Sequence, residues 1–233
     1  MPGYVMHMAV ASRIIGEKGK TNSSFLNAFL LGNIVPDAME RNAKKESHFW
    51  DDDTYKNLNR IPNVENFLEK YGDKMDDPFV LGYYTHLLLD HYFVKEYWRD
   101  NFALLDENMK QENGYDNVRY IKLRKDNMVY DREHFFSDEL YYGDYDRIYP
   151  YIFDRYPFVK ILNCDLGYIS VEEINKETVT KPLAKMIEKM NNLYDIRDSI
   201  KRKDLKVFEL EQICTLMDKV VSNVCEYMKH AGQ

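Results

Sequence analysis

The chain has 233 residues, of which 45% are hydrophobic, and its formal net charge is −7. This size and apolar content suffice for a packed core, and because no linker-like tract divides the chain we expect a single domain over residues 1–233. The acidic balance disfavours a nucleic-acid-binding surface, and three cysteines without a CxxC pattern disfavour a disulfide framework. The start of the chain has no basic leader, and no segment approaches the roughly 20 apolar residues of a membrane span, so a cytoplasmic protein is expected.

Helical periodicity begins close to the N-terminus. Apolar residues recur at three- and four-residue steps over residues 4–15 and predict an amphipathic first helix. Asn22 is suited to cap a second, apolar helix, FLNAFLLG, which Gly32 can terminate. Because a residue before proline disfavours the helical conformation, residues 33–37 (NIVPD) are predicted to form a turn.

The middle of the chain alternates between irregular and helical patterns. Residues 43–60 are polar and irregular, after which Asn63 should cap a short helix. Pro78, preceded by two aspartates, should open a central helix, because proline is tolerated in a first turn. Residues 117–130 show some β-like alternation, whereas residues 141–157 are rich in Tyr, Asp and Pro and are interpreted as loops with short helices.

Two further helices are predicted near the end of the chain. Pro182 is expected to start one of them, and apolar residues at helical spacing predict the other over residues 210–228. The apolar stripes of both helices are interpreted as core. No internal repeat is apparent. The predicted fold class is therefore mostly α, a multi-helix domain around a central buried helix.

The central helix carries an unusual polar pair. His86 and Asp90 lie four residues apart within Phe79–Tyr97, FVLGYYTHLLLDHYFVKEY, so their side chains share one helical face with several aromatic residues. That face should point into the core. A buried carboxylate is costly unless it is paired, hydrogen-bonded or bound to a metal, so this pair requires a partner.

The other histidines and one further aspartate each allow a purely structural interpretation. His7 lies on the apolar face of the first helix, where a single histidine is more often a hydrogen-bonded core residue than a ligand. Asp37 follows a proline and could simply cap the next helix, and His48 lies in an aromatic-flanked loop. His91 should face away from His86, and His230 is expected in solvent at the end of the chain.

Taken together, five of these residues form a set with metal-binding chemistry. Neutral imidazoles combined with carboxylates suit zinc in catalytic sites, and no cysteine is needed. A carboxylate such as Asp90 can bridge two ions about 3.5–4 Å apart, the spacing of two-metal phosphoesterase sites. The candidate ligands are His7, Asp37, His48, His86 and Asp90.

Four segments, MPGYVMH, FLLGNIVPD, the SHF around His48 and LGYYTHLLLD, resemble the zinc-dependent phospholipase C family, which is related in fold to the S1/P1 nucleases. The resemblance covers roughly residues 1–98. It implies a phospholipase C/P1 nuclease-like fold with zinc ligands in the chain order His, Asp, His and then His-x-x-x-Asp. On this basis the five candidates would be zinc ligands, with Asp90 as the bridge and Asp37 as a base that orients water.

The chain departs from the pattern of that family at three points. Secreted members use a mature N-terminal Trp as a ligand, whereas this chain starts Met-Pro, so that ligand would be Pro2 or absent. A histidine expected after the central helix is replaced by Glu96. The His-x-x-x-Glu pair has its nearest match in His134 and Asp138, well downstream. A third zinc site formed by Glu96, His134 and Asp138 is chemically possible, since carboxylates also bind zinc.

The leading functional hypothesis is a zinc-dependent phosphoesterase, a phosphoric diester hydrolase with two or three zinc ions. Metal-activated hydroxide would attack a phospholipid head group or a small soluble phosphodiester. The alternatives are a metal-stabilised or degenerate member that binds a ligand or partner without hydrolysis, and a helical scaffold with buried histidines. An intracellular phosphohydrolase built on an adjacent His-Asp pair does not fit, because the order here is Asp90-His91. Trp50, Tyr83 and Tyr84 would mainly pack in the core, with contact to an apolar or choline-like group as the alternative.

Overall fold

The computed structural model describes residues 2–19, 22–161 and 163–230, with residue 230 described by its backbone only. These residues are mostly helical, as predicted. The helices are α1 (Tyr4–Lys18), α2 (Ser23–Ala38), α3 (Lys44–Ser47), α4 (Asp52–Tyr55), α5 (Val64–Tyr71), α6 (Pro78–Tyr92), α7 (Arg99–Asn101), α8 (Arg132–Phe135), α9 (Tyr141–Arg155), α10 (Lys176–Asp195) and α11 (Leu210–His230). A π-helix, Phe93–Trp98, joins α6 to α7. Strands β1 (Phe102–Leu105), β2 (Tyr120–Leu123) and β3 (Val129–Asp131) form an antiparallel sheet in that order. Within the described residues, no helix is both long and apolar enough to cross a bilayer.

Three predicted helix starts are confirmed by their capping hydrogen bonds. The side chain of Asn22 accepts from the backbone N–H groups of the first turn of α2, and Asn63 does the same for α5. Asp77 caps α6, with Pro78 in the first turn. Each cap satisfies backbone donors that have no partner inside the helix, which is why these boundaries could be found from the sequence.

The packing of α2 on α6 explains why α2 does not end at Gly32. A Cβ on Gly32 would lie 2.1 Å from the carbonyl oxygen of Phe79, and a Cβ on Gly82 would lie 2.1 Å from that of Phe29. The two glycines therefore allow the backbones of α2 and α6 to touch. The predicted end at Gly32 and the predicted turn over residues 33–37 are wrong, since α2 continues through Pro36.

The second half of the chain differs from its predicted pattern in two helices and one strand. Residues 141–157, expected as loops with short helices, form α9, a helix of 15 residues with Pro150 inside it. Helix α10 begins at Lys176, so Pro182 lies inside it rather than at its start. The β-like alternation corresponds to β2 and β3, whereas β1 was not predicted. In both helices the burial of an apolar face outweighs the local cost of proline.

The core surrounds α6, which packs against α1, α2 and α11. The side chains of Phe79, Tyr83 and Phe93 are completely buried there. His7, His48, His86 and Asp90 are equally buried, with no exposed surface. The predicted central helix therefore lies beside ionisable groups that are buried in an apolar core.

Candidate metal centre

Four separate segments bring the five candidate ligands to one place. His7 comes from α1, Asp37 from the last turn of α2, and His48 from the residue after α3. His86 and Asp90 lie one turn apart on α6. Two overlapping groups, His7–His86–Asp90 and Asp37–His48–His86, each place one ligand atom per residue within 4.8 Å of the others. These buried groups could hold a metal ion.

The two carboxylate oxygens of Asp90 face different histidines. Oδ2 lies 3.6 Å from Nε2 of His48 and 3.6 Å from Nε2 of His86. Oδ1 lies 3.3 Å from Nε2 of His7. The carboxylate of Asp90 therefore has a candidate ligand on each side.

The spacing of the donor atoms suits a tetrahedral ion. With bonds of about 2.0–2.1 Å, the donors around a tetrahedral zinc are about 3.3 Å apart. The Nε2 atoms of His48 and His86 are 3.4 Å apart, and Oδ1 of Asp37 lies 3.7 Å from Nε2 of His48. Asp37, His48 and His86 therefore form one of the two groups that could hold an ion, and Oδ2 of Asp90 lies 3.6 Å from Nε2 of each of the two histidines.

Hydrogen bonds to backbone carbonyls orient two of the imidazoles. Nδ1 of His86 lies 2.8 Å from the carbonyl oxygen of Asn33, and Nδ1 of His48 lies 3.2 Å from that of Lys44. Because a carbonyl can only accept, Nδ1 is the protonated nitrogen of each ring, and Nε2 presents its lone pair to the cluster. Metal-binding histidines are commonly held in this way.

The protonation of His86 also favours a ligand. Burial, and after it the nearby imidazole of His7, lowers the pKa of His86 to about 3, although the carboxylates of Asp90 and Asp37 act in the opposite direction. The ring is therefore neutral at physiological pH. A neutral imidazole is the form that binds a metal ion.

Several polar atoms at the centre have no hydrogen-bond partner. These are both ring nitrogens of His7 and both carboxylate oxygens of Asp90, all fully buried. Buried polar atoms are almost always hydrogen-bonded, and an unpaired carboxylate is especially costly. A bound cation would satisfy the carboxylate oxygens of Asp90 and one ring nitrogen of His7, so the donor set fits a metal.

Asp37 lies at the edge of the cluster, where its side chain retains 14% exposure. Its Oδ1 accepts a hydrogen bond of 3.0 Å from the ammonium of Lys44, while Oδ2 lies 4.0 Å from Nε2 of His7. Burial opposes ionisation of this carboxyl, but the charge of Lys44 holds its pKa well below its usual range. Asp37 is therefore an ionised group shared between the cluster and its surroundings.

A cavity of about 380 Å³ adjoins the cluster through Asp37. Its polar lining includes Lys44 and Arg60, and aromatic side chains form much of the remaining wall. The π-helix supplies Val94 and Trp98 to this wall, which places a feature often found at functional sites directly after Asp90. The cavity gives the cluster a route to solvent, with two cations beside it.

The structure does not bring Glu96, His134 and Asp138 together with one another or with the cluster. The carboxylate of Glu96 pairs with Lys219 of α11, at 2.6 Å. His134 is exposed and lies 3.4 Å from Glu139, and Asp138 is exposed as well. Neither group of potential metal ligands among the described residues includes any of the three. Among the described residues the three side chains are not grouped as a metal site, and Glu96 and His134 each have another charged neighbour.

The remaining candidates have separate surroundings. His91 faces away from the cluster, as predicted, and its Nδ1 donates to the carbonyl of Pro62, at 2.9 Å. Trp50 lines the cavity, whereas Tyr83 is buried and donates to the carbonyl of Ser47. Tyr84 packs beside Phe67 in the core. The side chain of His230 lies outside the described residues.

Sequence reasoning missed the groups that support the cluster. Asn33 was placed in a turn, although its carbonyl orients His86 from within α2. In the sequence, Lys44 and Arg60 belong to the polar, irregular stretch of residues 43–60 and carry no further signal. Basic residues in a polar segment carry no signal of their partners, since contact with Asp37 or a cavity depends on the folded chain.

Comparison with known proteins adds no assignment: no family model, no curated protein and no solved structure gives a significant match to this chain.

Proposed function

We propose that this protein is a zinc-dependent phosphoesterase that hydrolyses a phosphodiester. The observation that carries the proposal is the convergence of three buried imidazoles and two carboxylates, with donor spacings close to those around a tetrahedral ion. Oxygen and imidazole donors without thiolate are typical of catalytic rather than structural zinc sites. The cavity beside Asp37 provides the access that a structural site would lack.

The residues around the cluster have complementary roles in such a reaction. Zinc, when bound, supplies Lewis acidity and a nucleophile that is available near neutral pH. Asp37, ionised and facing the cavity, can orient the attacking water and accept its proton. Lys44 and Arg60, which line the same cavity, can neutralise the phosphoryl oxygens of the substrate.

The resemblance of the first hundred residues to the zinc-dependent phospholipase C family supports the same chemistry. In this chain the ligands follow the family order, from His7 through Asp37 and His48 to the pair on α6. Five ligands, with Asp90 between two positions, favour a site for two ions over one for three. The substrate would be a phospholipid head group or a small soluble phosphodiester.

One observation favours an alternative, a protein that binds metal without hydrolysis. Lys44 occupies Oδ1 of Asp37, the same oxygen that faces His48, so an ion at this position must compete with an ammonium. The third site is also not formed. A metal-stabilised binding protein would tolerate both features, whereas an enzyme needs Asp37 to be available.

The decisive experiment combines metal analysis with a chromogenic phosphodiester. Protein stripped of metal and reconstituted with zinc should retain about two zinc ions per chain and cleave the diester. His86→Ala should lose both zinc and activity, whereas His134→Ala, which removes an exposed imidazole outside the cluster, should retain both.

Three results have distinct consequences. Retained zinc without turnover of any diester would favour the binding protein. The same loss in His134→Ala as in His86→Ala would show that the site is elsewhere. Absence of zinc binding would refute both versions of the proposal.

A further inference from the structure

Arginines without a carboxylate partner collect around Tyr115. The guanidinium of Arg132 lies 4.0 Å from the centre of the Tyr115 ring, and that of Arg60 lies 5.5 Å from it. Most other arginines of the described residues form ion pairs, as Arg155 does with Glu211. Among the described residues no carboxylate lies within ion-pair distance of Arg60, Arg119 or Arg132. In an acidic protein such a cluster indicates a site for an external anion.

The hydrogen bonds of these guanidiniums leave donors available. Arg119 donates to the carbonyl of Asp116 at 2.6 Å and, more weakly, to that of Val118. Arg60 donates its Nε–H to the carbonyl of Tyr55, at 2.9 Å. Arg132 donates to the carbonyl of Tyr115. Since each guanidinium has five N–H donors, most of them remain free.

Arg119 and Arg132 line a second cavity, of about 950 Å³, on the side of the sheet and α8. This arginine cavity and the cavity beside Asp37 share the side chains of Leu58, Phe136 and Tyr142. Arg60 connects them, because it lines the metal-side cavity and also packs against Tyr115 in the arginine cavity. The two cavities therefore adjoin, and cations are distributed across both.

We propose that the arginine cavity binds a second phosphate of the substrate, so that the protein acts on phosphodiesters that carry an additional phosphate away from the scissile bond. This rests on the proposed function for the scissile diester, whereas the anion site itself rests on the arginines alone. Guanidinium groups bind phosphate oxygens with two parallel hydrogen bonds, and a nearby aromatic ring holds the guanidinium plane.

The acidic residues of the cavity restrict where the phosphate lies. Asp131 is held as the cap of α8 and accepts the backbone N–H of His134, at 2.9 Å. Glu133 is exposed at the rim. The phosphate would bind to Arg119 and Arg132, whose guanidinium groups have no carboxylate partner among the described residues.

Titration of inorganic phosphate into metal-free protein tests the anion site alone. Without metal, the carboxylates of Asp37 and Asp90 repel an anion, and the part of the binding that depends on Arg119 and Arg132 reports the arginine cavity. Arg119→Gln and Arg132→Gln should each weaken phosphate binding by about tenfold or more, the loss expected for a charged hydrogen-bonding group. Arg119 is exposed, so Arg119→Gln should fold. It keeps the test valid even if Arg132→Gln, which removes a donor to the carbonyl of Tyr115, disturbs the structure around Tyr115. Arg124→Gln is the matched control, because Arg124 also has no carboxylate partner but donates to the carbonyl of Arg99 outside the cavity.

The zinc-loaded protein then tests the role of the site in catalysis. Two chromogenic diesters that differ only in one additional phosphate are compared, and Arg119→Gln should raise KM only for the substrate that carries the additional phosphate. Unchanged phosphate binding in both variants, or an equal loss in Arg124→Gln, would overturn the anion site. Equal effects on both substrates would overturn its part in substrate selection. If neither diester is cleaved while phosphate binding still requires Arg119, the proposed hydrolysis fails and the anion site stands.

Discussion

The substitution Asp90→Asn removes one negative charge from the metal centre and preserves the size of the side chain. In the metal-free protein both oxygens of Asp90 are buried without a hydrogen-bond partner, so the amide should leave the free energy of unfolding unchanged or higher. With zinc, the same substitution removes the group that faces His7 on one side and His48 and His86 on the other. We therefore expect opposite effects on the two forms of the protein.

The magnitude follows from linkage between binding and folding. Zinc at 100 times its Kd stabilises the folded state by about 2.7 kcal/mol. For a chain of this size, each kcal/mol raises Tm by about 2–4 °C, so zinc should raise the Tm of the wild-type protein by about 5–10 °C. Asp90→Asn should lose most of this shift.

Differential scanning calorimetry of metal-free and zinc-loaded samples measures both effects. Asp204→Asn, which removes the charge of an exposed aspartate, is the matched control and should retain the full zinc-dependent shift. A shift in Asp90→Asn equal to that of the wild type would refute the assignment of Asp90 as a ligand. A large loss of stability in metal-free Asp90→Asn would refute the inference that its carboxylate is uncompensated.

Further predictions concern the stability of the metal-free protein, measured by urea unfolding. Because folded His86 has a pKa of about 3 and the unfolded residue about 6.5, the unfolded state binds the extra proton between these values. The free energy of unfolding should therefore fall by about 2 kcal/mol from pH 6.5 to about pH 5, and His86→Gln should flatten this dependence; an unchanged slope would contradict the burial of a neutral imidazole. Gly32→Ala should destabilise the protein by about 1–3 kcal/mol or more, since its Cβ would meet the Phe79 carbonyl, whereas Gly16→Ala, with open space around it, should be stabilising by about 0.5–1 kcal/mol. Equal effects of the two alanines would show that α2 and α6 are not in backbone contact. Asp144→Asn should cost about 3 kcal/mol, because this buried carboxylate accepts three consecutive backbone N–H groups of residues 206–208; a neutral result would mean that these donors have other acceptors.

Local signals in the sequence predict helix starts where a side chain caps the helix, but not the boundaries assigned to prolines inside helices. Asn22 and Asn63 are recognisable as caps because a cap acts on backbone groups within three residues. Pro36 and Pro182 were interpreted as boundaries, yet both lie inside helices whose apolar faces are buried. The energy of that burial comes from distant segments, which a local pattern does not report.

The proposed third site shows the same limit for functional residues. Glu96 and His134 have the residue types of zinc ligands, and their spacing alone could not exclude a site. In the structure α11 presents Lys219 to Glu96, and Glu139 lies beside His134. Contacts between segments far apart in the chain determine which charged side chain lies beside each candidate ligand.

The sequence by itself determined the mostly helical fold, the chemistry of the candidate ligands, and the placement of His86 and Asp90 on one face of a buried helix, because one turn of α-helix fixes their separation. Only the tertiary structure decided that His7, Asp37 and His48 reach the same point. It also placed Lys44 beside the cluster and gathered the arginines around Tyr115. The physical reason is that these side chains come from separate segments and meet only when Gly32 and Gly82 allow α2 and α6 to pack in backbone contact.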